Sequence, residues 1–317
     1  MIDALVLAPC RPHIRERLER DFAGTYRFAF RSPEDLDQLP TAEVVIGEPP
    51  VEALSAARRL RWVQMTWAGT DLYTRHPGFP AEVVLTNGSG AYGRTISEYV
   101  IGAILAHYRN LPRYWDQQKQ GLWRDAGAER CLDGRTVLIL GAGDLGRQVA
   151  KKLRAFDTVT LGVKRTVTGP VEGFDRLYPI SELDWALPEA QVVIGCLPNT
   201  DETIGLLDGR RLRLMRPDAL LVNVGRGKLI VTDDLVEVLR SGHLSGAALD
   251  VTEPEPLPAD HPLWSLPNVT ITPHVSGPSF HHDLGTEERI WALCADNLHR
   301  YAAGEPLAHV VDLVRGY

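Results

Sequence analysis

Cysteine is scarce in this chain, with four among 317 residues. Cys10, Cys131, Cys196 and Cys294 lie far apart and share no metal-ligand spacing. That argues against a disulfide framework or a zinc site and fits a reduced, cytoplasmic protein. No apolar run nears the ~20 residues that a membrane helix needs. The opening stretch Met1-Ile-Asp-Ala-Leu-Val-Leu-Ala-Pro9 is apolar, but it is short and carries Asp3 where a secretion signal has a basic segment, so it reads as a first strand. Basic blocks are missing too. The formal net charge is −7 and both signs are mixed along the chain, so neither nucleic acid nor a membrane is an expected partner. Repeats and low-complexity segments are also lacking. What remains is an ordinary globular composition, 44% hydrophobic and 24% charged, long enough for two domains with separate cores.

The strongest local signal is Val137-Leu-Ile-Leu-Gly141-Ala-Gly143-Asp144-Leu145-Gly146, an apolar run that enters a G-x-G-x-x-G loop. An amphipathic segment, residues 147–156, follows it, giving the strand–turn–helix context that a dinucleotide site requires. Gly141 permits the tight turn, Gly143 lets the backbone approach a pyrophosphate, and Gly146 allows helix and strand to pack closely. The free N–H groups and positive end of the helix then face the phosphates.

Short apolar runs alternate with helix-like segments throughout, which implies parallel sheets covered on both faces. In the first domain the runs are 4–8, 44–47, 62–66 and 83–86, with helix-like pieces at 13–20 and 51–60. A long helix is expected over 95–110, ended by Pro112. Beyond it, six runs (137–140, 159–163, 192–196, 220–224, 247–249 and 269–272) match the six strands of a full dinucleotide-binding sheet. A helix over 233–240 reads as capped by Thr232, and a last helix is expected over 280–302, packing back on the first domain.

Five stretches in order make the chain resemble the D-isomer-specific 2-hydroxyacid dehydrogenase family along nearly its whole length. They are the glycine loop, Cys196-Leu-Pro-Asn-Thr-Asp-Glu-Thr203, Val222-Asn-Val-Gly-Arg226-Gly227, Gly246-Ala-Ala-Leu-Asp250-Val with Glu253-Pro-Glu255-Pro-Leu-Pro, and Asn268-Val-Thr-Ile-Thr-Pro-His274. The ending Val311-Asp-Leu-Val-Arg-Gly-Tyr317 is similar to the glyoxylate/hydroxypyruvate reductase branch. The resemblance implies an α/β fold of two doubly wound parallel-sheet domains. A Rossmann coenzyme domain (96–283) would be inserted into a flavodoxin-like substrate domain (1–95 plus 284–317). It also implies a homodimer.

The family match places three catalytic positions at Arg226, Glu255 and His274. The chemistry suits them. Reducing a 2-keto acid needs a proton on the carbonyl oxygen, and histidine is the natural donor near neutrality. A carboxylate at Glu255 favours the protonated imidazolium. Arg226 offers a fork of donors to the substrate carboxylate and to the charge developing on the carbonyl oxygen. In the family, the loop Trp67-Ala68-Gly69 presents backbone N–H groups to the substrate carboxylate. Trp67 either narrows that pocket or caps the core. Closure of the domains on the substrate would exclude water from the reaction path.

The second strand of an NAD-binding sheet should end in an acidic residue for the ribose hydroxyls. In the family register that position is Lys164, followed by Arg165 and Thr166, a set suited to a 2′-phosphate. NADP is therefore the preferred cofactor, with NAD possible. Leu197, Pro198 and Thr203 are expected along the adenosine side, Val224, Gly225 and Asp250 near the nicotinamide ribose and carboxamide, and Gly277 near the ring. Two other functions fit the same fold: a nucleotide-sensing module of the corepressor type, and a formate- or phosphite-type dehydrogenase.

Overall fold

The computed structural model describes residues 1–74, 76–278 and 280–317. The chain divides into two compact units, Met1–Tyr92 with Pro278–Tyr317, and Gly93–Gly277.

The first unit holds a five-stranded, all-parallel sheet in the order β2-β1-β3-β4-β5. Its strands are β1 (Ile2–Val6), β2 (Tyr26–Phe30), β3 (Val44–Ile46), β4 (Trp62–Gln64) and β5 (Val84–Thr86). Helix α1 (Pro12–Asp21) buries Ile14 and Leu18, one turn apart, and α2 (Asp71–Thr74) is a single turn. Strand β2 was not expected. It is an edge strand, and only Tyr26 of its five residues is fully buried, so it lacks the continuous apolar run of its neighbours. The helix-like piece at 51–60 is a 3-10 segment, Val51–Ala56.

The second unit opens with α3 (Gly93–Tyr108) and α4 (Leu111–Lys119). Pro112 does not end α3. Asn110, in left-handed backbone, separates the helices, and Pro112 sits in the first turn of α4, where a missing N–H costs nothing. A seven-stranded parallel sheet follows, in the order β12-β11-β10-β9-β6-β7-β8. Its strands are β6 (Thr136–Leu140), β7 (Val159–Lys164), β8 (Arg176–Pro179), β9 (Val192–Gly195), β10 (Leu220–Asn223), β11 (Gly246–Leu249) and β12 (Val269–Ile271). The seventh, β8, is again a half-exposed edge strand. Between the strands lie α5 (Asp144–Leu153), α6 (Leu183–Ala186), α7 (Gly209–Leu214) and α8 (Thr232–Arg240).

Side chains alternate between two buried layers. Leu138, Leu140, Val193 and Leu221 join one core, whereas Val137, Ile139, Val192, Ile194 and Val222 join the other. A strand buried on both faces must be apolar at every position, which is why these runs stand out in the sequence. Each such side chain contributes about 1.5–3 kcal/mol by burial. Thr232 does not cap α8. Val231 holds the cap position, and the Thr232 hydroxyl donates to the Glu253 carbonyl at 2.6 Å.

The chain returns to the first unit through α9 (Leu284–Ala303). Asp283 caps it, accepting from the Thr286 N–H at 2.7 Å, and Gly304 ends it in left-handed backbone. Asn297, buried on α9, donates to Gln64 Oε1 on β4 at 2.8 Å. Among the described residues no helix is long and apolar enough to cross a membrane.

Candidate active site

In the seven-stranded sheet, β6 has β7 on one side and β9 on the other, so the chain direction across the sheet reverses there. Ligands of doubly wound sheets bind beyond the carboxyl ends of the strands at such a point. The glycine loop leaves β6 at that position. Gly141 has φ +111°, and a Cβ there would lie 2.9 Å from the Cys196 carbonyl oxygen at the end of β9. A Cβ on Gly146 would overlap the Gly141 carbonyl oxygen, so helix and turn can meet only at a glycine. A Cβ on Gly143 would meet nothing within 4 Å, so the loop is open on that side. Asp144 and Leu145 form the first turn of α5, and among the described residues no side chain caps that helix. This open cradle of unclaimed N–H groups fits a dinucleotide pyrophosphate.

Lys164 is the last residue of β7, and Arg165 and Thr166 follow it, both exposed. The Arg165 guanidinium pairs with Glu202 at 2.8 Å. No carboxylate ends this strand, and two cations do. Leu197 and Pro198 follow β9, and the Leu197 carbonyl would lie 2.7 Å from a Cβ on Gly225. Thr203 is committed to its own turn. Its hydroxyl donates to the Pro198 carbonyl at 2.7 Å and accepts from the Thr200 N–H at 2.8 Å.

Strands β10, β11 and β12 are neighbours, and each is followed by one member of the expected triad: Arg226, Glu255 and His274. His274 Nδ1 lies 2.6 Å from Glu255 Oε1, and both side chains are near half exposed. That hydrogen bond commits Nδ1 and leaves Nε2 as the ring nitrogen for a ligand.

The backbone of His274 is left-handed, with φ 54°. Its N–H donates to the Asp250 carbonyl at 2.8 Å. The buried Asp250 carboxylate accepts from the next two amides, Val275 at 2.9 Å and Ser276 at 3.0 Å. Asp250 is thus a clamp on an otherwise unfavourable turn. Gly277 closes the same turn at the limit of the second unit.

Arg226 is half-buried, and its Nη1 donates to the Gly225 carbonyl at 2.8 Å. The fully buried Asn223 shapes the loop that carries it, donating to the Arg226 carbonyl at 2.9 Å and accepting from the Gly225 N–H at 3.2 Å. Val224 is buried in the same loop. A Cβ on Gly227 would collide with the Thr252 carbonyl, on the segment that leads to Glu255. Gly227→Ala must therefore push the arginine and glutamate loops apart. Such a shift is expected to lower kcat/KM by about tenfold or more, and steady-state kinetics beside a melting curve would read it.

The NAD-binding domain of the D-isomer specific 2-hydroxyacid dehydrogenase family matches residues 101–276. Glyoxylate/hydroxypyruvate reductase A of Serratia proteamaculans is 34% identical over 289 residues, 89% of each chain. A crystal structure of a family member from Aeromonas salmonicida superposes with TM-score 0.86 at 35% identity, covering 98% of this chain and 99% of that one. An NADPH-dependent glyoxylate/hydroxypyruvate reductase from Sinorhizobium meliloti, solved with NADP and sulfate, gives 0.84 at 28% identity over the whole of both chains.

The chain belongs to the D-isomer specific 2-hydroxyacid dehydrogenase family.

Its likeness within that family is to the glyoxylate/hydroxypyruvate reductase branch, and it is an NAD(P)-dependent oxidoreductase. Beyond the residues expected from its sequence, a hydrogen-bonded chain, Tyr99–Thr272–Asp250, runs to the turn that carries His274. The Thr272 hydroxyl donates to Asp250 at 2.6 Å. Its one proton is thereby spent, so Tyr99, 2.6 Å away, must donate to Thr272. Burial pushes the Tyr99 phenol up, which keeps it protonated for this task. The sequence signal was present in the Thr272-Pro-His274 stretch, but the partner 173 positions away was not readable. On the first unit, Trp67 follows β4 and is 49% exposed, so it does not cap the core.

Proposed function

We propose that the protein reduces a small 2-keto acid, of the glyoxylate or hydroxypyruvate kind, to the D-2-hydroxy acid, with NADPH preferred over NADH. The observation that carries this reading is the 2.6 Å His274–Glu255 contact beside the arginine loop of the neighbouring strand. The names of the reductase relatives from Serratia and Sinorhizobium support the substrate class and the cofactor.

When bound, the reduced nicotinamide supplies the hydride that goes to the carbonyl carbon. The chain's own residues do the rest. Gly141, Gly143, Asp144, Leu145 and Gly146 hold the pyrophosphate, and Lys164, Arg165 and Thr166 receive the 2′-phosphate. Leu197, Pro198, Val224, Gly225, Asp250 and Gly277 line the nucleotide. Arg226 draws the substrate carboxylate and carbonyl into register and stabilises negative charge on the oxygen as it develops. His274 donates a proton from Nε2 to that oxygen, and Glu255 stabilises the imidazolium and fixes the ring orientation. The loop Trp67-Ala68-Gly69 supplies backbone N–H groups to the substrate carboxylate. A homodimer is the proposed assembly.

The test is a panel of glyoxylate, hydroxypyruvate, pyruvate and phenylpyruvate, each assayed with NADPH and with NADH. The expected result is turnover of the smallest acids with higher kcat/KM for NADPH. Tight nucleotide binding without turnover of any acid would favour a sensing module and sink the reading. Lys164→Asp combined with Arg165→Ala is expected to shift the NADPH/NADH efficiency ratio by about ten- to a hundredfold, because charged hydrogen bonds to the phosphate are lost. An unchanged ratio would remove these two residues from the cofactor site.

A further inference from the structure

We propose that Glu48 is a positioning residue for keto-acid binding, bolting the 66–69 loop from behind so that its remaining N–H groups are kept for the substrate carboxylate. This rests on the keto-acid reading above.

Glu48 lies just beyond β3 and is half-buried. Oε1 accepts from the Thr66 N–H at 2.6 Å, the Trp67 N–H at 3.1 Å and the Thr66 hydroxyl at 2.9 Å. Among the described residues no cation acts on it. Burial pushes its carboxyl up, opposed by the hydrogen bonds from Thr66 and Trp67. The hydrogen bonds from the two amides and the hydroxyl offset the cost of placing an acid there.

The carbonyls of the same loop are also claimed. Thr66 accepts from the Tyr92 hydroxyl at 3.0 Å, Trp67 from the Gly88 N–H at 2.7 Å, and Ala68 from Asn87 Nδ2 at 2.9 Å. A Cβ on Gly88 would overlap the Thr66 carbonyl, so the two backbones are in direct contact. With three carbonyls and two amides fixed, the N–H groups of Ala68 and Gly69 take part in no hydrogen bond among the described residues. Two N–H groups left without an acceptor on a loop fixed in this way are available to a carboxylate oxygen. Without Glu48, the Thr66 and Trp67 amides would lose their acceptor and the loop could turn to satisfy them elsewhere.

Three variants separate geometry from charge. Glu48→Gln keeps an acceptor oxygen for both backbone amides, and its NH2 can meet the Thr66 hydroxyl. Glu48→Asp keeps the charge but falls short by one methylene. Glu48→Ala removes both. The expected result is a rise in keto-acid KM of about tenfold or more for the Asp and Ala variants, a smaller fall in kcat, and nicotinamide affinity within about twofold of wild type. Glu48→Gln is expected to recover most of the loss. Amide hydrogen exchange at Thr66 and Trp67 should quicken in Glu48→Asp and not in Glu48→Gln. Wild-type KM in Glu48→Asp overturns the inference, as does a Gln variant as impaired as Ala. If the wild type reduces no keto acid, the functional reading fails, and the exchange data alone then decide whether Glu48 fixes the loop.

Discussion

Changing His274 to alanine is expected to lower kcat for keto-acid reduction by about two to four orders of magnitude, the usual contribution of a general acid. As hydride adds to the carbonyl carbon, the charge that develops on its oxygen must be met by a proton, and with Nδ1 spent on Glu255 the Nε2 of His274 is the nitrogen to supply it. Alanine has a second effect that must be separated from the first. His274 occupies left-handed backbone, which a Cβ-bearing residue without a polar side chain tolerates poorly. Asparagine accepts that conformation far better, so His274→Asn removes the acid with less backbone strain. Both variants should lose turnover alike while keeping nucleotide binding, as read by stopped-flow single turnovers and a fluorescence titration. If His274→Asn turns over within tenfold of wild type, His274 is not the proton donor.

Arg226→Ala is expected to lower kcat/KM by about two to three orders of magnitude, with losses in both KM and kcat. An arginine that only oriented the ground-state carboxylate would raise KM and spare kcat. Loss in both follows if the guanidinium also meets the charge developing on the carbonyl oxygen. Arg226→Lys tests the geometry: lysine keeps the charge but has no planar fork, so it should restore at most about a tenth of the lost efficiency. The Arg226 carbonyl is held by Asn223, so neither change breaks the hydrogen bonds that shape the loop. A lysine variant with wild-type efficiency would show that a point charge suffices and that the proposed two-pronged contact is not made.

Glu255 and its near neighbour Glu253 illustrate how the sequence can mislead. Two residues apart and each followed by a proline, they are the same residue type in like surroundings, and only the family resemblance singles out Glu255. In the folded chain the Glu253 carbonyl receives the Thr232 hydroxyl, while Glu255 reaches the imidazole. Thr232 had the residue type of a helix cap, and its sequence position suited one. Tertiary structure gave its hydroxyl a better acceptor on the segment that must hold Glu255 in place.

The chain by itself determined the central strands and the glycine loop. Strands buried on both faces must be apolar throughout, and glycine is needed where backbone meets backbone, as at Gly141 and Gly146, so both leave a local mark. The edge strands β2 and β8 left none, because one flank of each lacks a neighbouring strand and their side chains are only partly buried. Only the tertiary structure decided which polar groups meet: Tyr99 with Thr272, Asp250 with the amides after His274, and Glu48 with the 66–67 backbone. Such partners are brought together by the crossing of whole strands, and a hydrogen bond across many intervening residues has no periodicity to announce it.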